Sequence, residues 1–415
     1  MKRMLAAGLV LVAAACGNDR SPEQRVQNAS SAELEALRDS VLPRLQVLSG
    51  LRQRAEIQME TQPRDSLRLY IEARMNEELP PQELQGIRAT YAALGLLPAN
   101  LDLRKLLLDL YTEQVIGYYD PDSKKLFVVG GTDPAMLRPI LVHELVHALQ
   151  DQHVNLDSLI AKERGNDRQT AAQAAIEGHA TMVMLAHAFE KEERREVDPR
   201  HLPDISAQAR SGMDQQFPVF RSAPRILRET MLFPYAAGAQ FVKSLWIRSL
   251  GAGAAVRYPA PIGDRLPQST EQVLHPDSRF LAGRDEPTEL RFTNGGAEIA
   301  RENSLGELET ALWLSEHLGA AAARYAQGWD GDRYRLIRTD SAGGGSDVLI
   351  WYSVWDNEGA ASSFANAARR VAQKRGRASR VERLSIDGRP GVRVIDGPSE
   401  ADIARVKIPG VSLAL

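Results

Sequence analysis

His143, Glu144 and His147 stand in the order His-Glu-x-x-His within residues 137–150, a stretch that reads as helix. Two histidines four apart lie about 40° apart around a helix and roughly 6 Å along it. Both imidazoles can then reach one tetrahedral Zn2+, with Glu144 beside them to hold a water at the metal and take its proton. Leu141, Val142, Leu145, Val146 and Leu149 make the helix apolar around much of its circumference, which predicts that it is buried. Buried imidazoles need partners, and one metal satisfies two of them. The plainer alternative is a helix with two ordinary histidines, because the pentapeptide can arise by chance in a 415-residue chain with 8 His.

A zinc site needs a third protein ligand. Glu177 lies in the alanine-rich stretch 170–181, which is strongly helical. Its separation from His147 leaves room for a loop and an antiparallel return past the first helix. Gly178 beside it permits close helix approach. His153 is the other candidate. If the first helix simply continues, it lies roughly 9 Å beyond His147 along the axis and cannot share the metal. His179, two residues from Glu177, reads as a supporting or surface residue.

The pair His143-Glu144-x-x-His147 and Glu177-Gly178-x-Ala180 resembles the gluzincin metallopeptidases, the thermolysin-like clan. The resemblance implies His143, His147 and Glu177 as ligands of Zn2+ and Glu144 as general base. The runs 149–153 and 269–276 are similar to segments of uncharacterised bacterial gluzincin-like proteins, a likeness covering roughly residues 90–280. In that clan an edge strand ahead of the active-site helix binds extended peptide, and a downstream tyrosine or histidine stabilises the developing oxyanion. The resemblance therefore implies the first role for a strand of the hairpin expected at 117–129, and the second for Tyr235 or His275. Where the relatives carry an aspartate this chain has His179. Where thermolysin-like enzymes place an aspartate against a zinc histidine it has Thr181, whose hydroxyl is expected to take that imidazole proton. The spacing of His143, His147 and His153 also matches metzincins, with Gln150 in place of their glycine and Met213 downstream.

Lys2 and Arg3 precede a short apolar core at 4–15, too short to span a bilayer, and Cys16 follows. This resembles a bacterial lipoprotein signal, implying a lipid anchor on Cys16 and a place in the cell envelope, on the periplasmic face of the outer membrane. With Cys16 the single cysteine, no intramolecular disulfide is possible. Lys+Arg 51 against Asp+Glu 54 leaves a net charge of -3 and no electrostatic footprint for nucleic acid.

The periodicities predict an α+β chain. Residues 1–15 form the signal peptide, 16–30 a lipid-anchored tether, and 31–99 an all-helical N-terminal region. Residues 100–285 form a mainly helical, zincin-like catalytic domain with a β-hairpin edge, and 286–415 a small C-terminal α+β module. Gly328–Asp332 and the glycines at 343–345 read as turns, and Arg369 to Arg380 as a solvated helix face. The expected function is that of an envelope-anchored zinc metalloendopeptidase acting on extended polypeptides. The rivals are a catalytically inactive envelope-binding or scaffold lipoprotein that keeps the fold, and a zinc hydrolase of amide bonds in cell-wall material.

Overall fold

A computed structural model describes residues 30–159, 161, 164–293, 298–339 and 347–414. The signal segment, Cys16, the tether up to residue 29 and the glycine turn at 343–345 lie outside the described residues. Helix α1 (Ser31–Ser49) opens on a capping box in which Ser30 and Glu33 satisfy each other's backbone N–H. Strand β1 (Gln58–Gln62) follows, then helices α2 (Arg64–Glu78), α3 (Pro81–Ala93) and α4 (Leu103–Gln114). The N-terminal region is therefore not all-helical. β1 pairs in parallel with β3 (Lys125–Val129), whose other neighbour is the antiparallel β2 (Gly117–Asp120), so β2 is the edge of this small sheet. The turn between β2 and β3 is held by Asp120, which accepts from Ser123 N and Oγ and from Arg74.

Helix α5 (Pro134–Asp151) starts at Asp133, whose side chain accepts from Ala135 N, and every residue from Ile140 to Gln150 is buried. After α6 (Leu156–Leu159), the long α7 (Asn166–Glu193) crosses α5, and it is buried without interruption from Ala171 to Met184. Helices α8 (Ser206–Gln216) and α9 (Pro218–Ser222) lead into α10 (Arg225–Gly251), which packs along α7. The two approach so closely that a Cβ on Gly178 would lie 2.0 Å from the backbone of Gly238, and one on Gly238 2.0 Å from the Ala174 carbonyl. Only glycine fits at either position.

Helix α11 (Thr270–Leu274), strands β4 (Leu290–Phe292) and β5 (Ile299–Asn303) and helix α12 (Gly306–Leu318) lead to the strands β6 (Trp329–Arg338) and β7 (Asp347–Trp355). Helix α13 (Glu358–Arg375), strands β8 (Ala378–Ile386) and β9 (Arg389–Gly397), helix α14 (Glu400–Arg405) and strand β10 (Val411–Leu413) complete the chain. In the antiparallel sheet β5-β6-β7-β9-β8 the central strand β7 is buried on both faces, while the edge strands β5 and β8 are partly exposed. Leu349, Trp351 and Trp355 of β7 pack with Trp313 and Phe364, while Val348, Ile350, Tyr352 and Val354 join a separate cluster with Ile395 and Ile403. Two expectations fail here. Residues 329–332 continue β6 through a bulge between Trp329 and Gly331 instead of turning. Residues 378–380, read as helix face, begin β8.

The first of these clusters runs without a break from Leu67 to Val394, so the C-terminal sheet shares one core with α2, α3 and α4. Polar contacts add to the joint. Buried Asp332 accepts from Leu305 N, Gly306 N and the indole N–H groups of Trp329 and Trp351. At the start of α7, Asn166 donates to Glu309, and Asp167 accepts from Thr270. Burial pushes the Asp167 carboxyl up to about 7, the Thr270 hydrogen bonds opposing it only in part.

Gly238→Ala is expected to destabilise by roughly 1–3 kcal/mol, because a methyl group would be driven into backbone that cannot yield. Gly212→Ala in α8, where the added atom meets nothing within 4 Å, should be neutral or stabilising by up to about 1 kcal/mol. Denaturant midpoints of the two variants check this pair. Asp167 has a folded pKa above its unfolded one, so its contribution is fully present below about pH 4 and is lost as the pH rises towards 7. Asp167→Asn should therefore gain stability relative to the parent protein between pH 4 and pH 8. Unfolding curves across that range would show no such trend if the carboxyl titrates normally.

Candidate metal centre

His143 and His147 project from consecutive turns of α5 towards α7, with ring centroids 4.8 Å apart and planes crossed at 76°. Opposite them α7 presents Glu177. The Nε2 atoms of the two rings are 3.1 Å apart, and Glu177 Oε2 lies 3.1 Å from His143 Nε2 and 3.3 Å from His147 Nε2. Ligands about 2.0–2.1 Å from a tetrahedral Zn2+ are separated by about 3.3–3.4 Å. The three atoms thus form a triangle close in size to one face of a zinc coordination tetrahedron. The donor set, two imidazoles and a carboxylate, is also one that zinc takes with its fourth position open.

The electrostatics of the cluster couple the two rings to the carboxylates beside them. Burial works to lower the pKa of His147, but the Glu177 and Glu144 carboxylates and the Gln150 side chain outweigh it and raise it to about 9. Burial lowers His143, whose bond to Glu177 only partly offsets that. For Glu177 the penalty of burial is overcome by the two histidines, which hold its carboxyl below the usual range. His147 and Glu177 thus stabilise each other's charged forms.

Glu144 lies on α5 beside the histidines. Its Oε2 accepts from Tyr119 N of β2 at 2.9 Å, while Oε1 is buried with no hydrogen-bond partner among the described residues. Gly117 of the same strand makes this approach possible: a Cβ there would sit 2.6 Å from Ile140 Cγ2 and 3.9 Å from Glu144 Cγ. The Tyr119 hydroxyl donates to Asp151, tying the strand to the far end of α5. Burial pushes the Glu144 carboxyl up to about 8, with Glu177 adding to the effect and His147 opposing it. A carboxyl in that range is suited to take up and release a proton near neutral pH.

The two oxyanion candidates part company. The Tyr235 ring of α10 lies 6.1 Å from that of His143, inclined at 29°, beside the candidate metal ligands. His275, at the end of α11, instead pairs through Nε2 with Glu307 Oε1 at 2.9 Å. His153 lies just past the end of α5, its Nε2 2.7 Å from the Arg52 carbonyl, and Met213 packs in the core with Phe220. The described groups gathered at this centre are His143, His147 and Glu177, without His153.

Thr181 does not do what the resemblance suggested, for its buried hydroxyl has no hydrogen-bond partner among the described residues. The partner of His147 is Gln150, whose Oε1 lies 2.8 Å from Nδ1 and whose Nε2 reaches the Ile176 carbonyl and His179 Nδ1, each at 3.0 Å. His179 is accordingly buried beside the centre, and burial pushes its ring down to about 3. Sequence reasoning gave neither Gln150 nor Tyr119 a part in the centre. The signal for Gln150 was its place three residues after His147, on the same helix face.

Residues 293–410, which hold the five-stranded sheet, match a family model described as a domain of unknown function (DUF8575). No curated protein and no solved structure matches the chain.

Proposed function

We propose that the protein is a zinc-dependent metalloendopeptidase of gluzincin type with a zincin-like catalytic unit. The observation that carries this reading is the triangle of His143 Nε2, His147 Nε2 and Glu177 Oε2, with edges of 3.1, 3.3 and 3.1 Å, beside the carboxylate of Glu144. Zn2+ held there would act as a Lewis acid and make water nucleophilic near neutral pH. Glu144 takes the proton of the attacking water and delivers it to the leaving amine. Its bond from Tyr119 N holds one carboxylate oxygen in place and leaves the other for that exchange. Tyr235, from its place beside His143, is the candidate donor to the developing oxyanion. β2 stands at an edge of its sheet, but its four residues are buried and its Tyr119 N–H is taken by Glu144, so binding of an extended polypeptide along it requires that edge to be uncovered. The apolar run 4–15 ahead of Cys16 supports an envelope location by lipid anchoring.

One observation favours the rival reading of an inactive binding or scaffold protein. His143, Glu144 and His147 are 0% exposed and Glu177 1%. A peptide therefore reaches Glu144 only after the elements around it part.

Glu144→Gln is expected to keep stoichiometric zinc while lowering cleavage of casein or an unstructured peptide by roughly 100-fold or more. Glu177→Ala should lose zinc and His153→Ala should retain it, by metal analysis of the purified proteins. Full zinc in the parent protein with no cleavage by either parent or Glu144→Gln would favour the scaffold. Zinc retained in Glu177→Ala would dismiss the assigned ligand set.

A further inference from the structure

We infer that Gln150, held in turn by α7, fixes the proton of His147 on Nδ1 and so presents its Nε2 as a metal donor. The inference rests on the zinc reading for its purpose, but on hydrogen-bond logic for its content. The Ile176 carbonyl can only accept, so the Gln150 atom 3.0 Å from it must be the amide NH2. The other end of the amide is then oxygen. It lies 2.8 Å from His147 Nδ1 and can itself only accept, so Nδ1 carries a proton. The second amide N–H points to His179 Nδ1 at 3.0 Å, which accepts with its lone pair. Turning the amide over would set oxygen against the Ile176 carbonyl and deprive His179 Nδ1 of its donor. Gln150 is wholly buried, so bulk water cannot make up for either loss.

The remaining nitrogen of His147 is Nε2, the atom that faces His143 and Glu177. Ile176 immediately precedes Glu177, so one amide both orients a ring on α5 and holds the backbone beside the carboxylate on α7. Two ligands from different helices are thereby set in register by a single side chain that touches no metal. His143 has no equivalent support, since its Nδ1 is buried without a hydrogen-bond partner among the described residues. Gln150 is a positioning residue, and its effect should be read in metal affinity and proton position.

The test uses the purified full chain, Zn2+ as the probe and a competing chromophoric chelator. Gln150→Met, which keeps the volume but none of the three hydrogen bonds, should weaken zinc binding roughly 10- to 100-fold. Gln150→Glu should restore affinity to within a few-fold, because a protonated carboxyl can donate to the Ile176 carbonyl and accept from His147. Gln150→Met binding as tightly as the parent protein overturns the inference. A second measurement needs neither metal nor variant. In the metal-free parent protein, long-range 1H–15N spectra recorded at rising pH should show His147 losing its proton from Nε2 and keeping the one on Nδ1. Loss from Nδ1 overturns the inference even if zinc binds. Retention on Nδ1 supports it even if the chain takes up no zinc, a result that would sink the metal reading alone.

Discussion

Atoms that carry lone pairs repel one another in a dry interior unless positive charge lies between them. The crossing of α5 and α7 forces that situation on His143, His147 and Glu177. Much of the surrounding structure serves to sustain it. Apolar side chains of both helices exclude water from the centre, and exclusion strengthens every charge interaction inside it. A polar cluster so placed is a liability to folding stability, and such departures from good packing commonly mark functional sites.

Close helix contact is the means by which the arrangement is reached. Gly178, next to Glu177, and Gly238, three residues after Tyr235, bring the backbones of α7 and α10 together. Helix α7 is thus caught between α5 on one side and α10 on the other, and the same packing that seats the carboxylate seats the tyrosine beside His143. The hairpin enters from a third direction, and its Tyr119 N–H meets Glu144 because Gly117 lets the strand lie against α5. β1 extends that sheet on its far side, so β2 remains at an edge, next to Glu144.

The parts of this site that follow from local periodicity were legible in the sequence. Two histidines on one helical face, an alanine-rich second helix and a hairpin closed by Asp-Pro-Asp-Ser each carry their own signal. What escaped depends on partners distant along the chain. β1 has a polar, weakly strand-like sequence and is a strand because β3 offers it a pairing edge. The Gly and Asp residues at 330–332 suggest a turn, yet they run on as strand because Asp332 is taken up by four donors from its surroundings. His275 sits before a proline at a helix end, a position no different in sequence whether it faces a metal or, as here, Glu307. Gln150 drew notice only for standing where metzincins have glycine, since its value lies in a carbonyl of another helix.

The candidate centre and the C-terminal elements are joined through α7. Asn166 and Asp167, in its first turn, grip α11 and α12, and Glu177 follows ten residues later on the same rod, about 15 Å along the axis. Helix α7 is continuous between these points and buried from Ala171 onward, so the seat of Glu177 depends on how the first turn is held by α11 and α12. The remote half of the molecule thereby holds a lever on the geometry of the centre, although none of its residues stands among the three that would bind the ion.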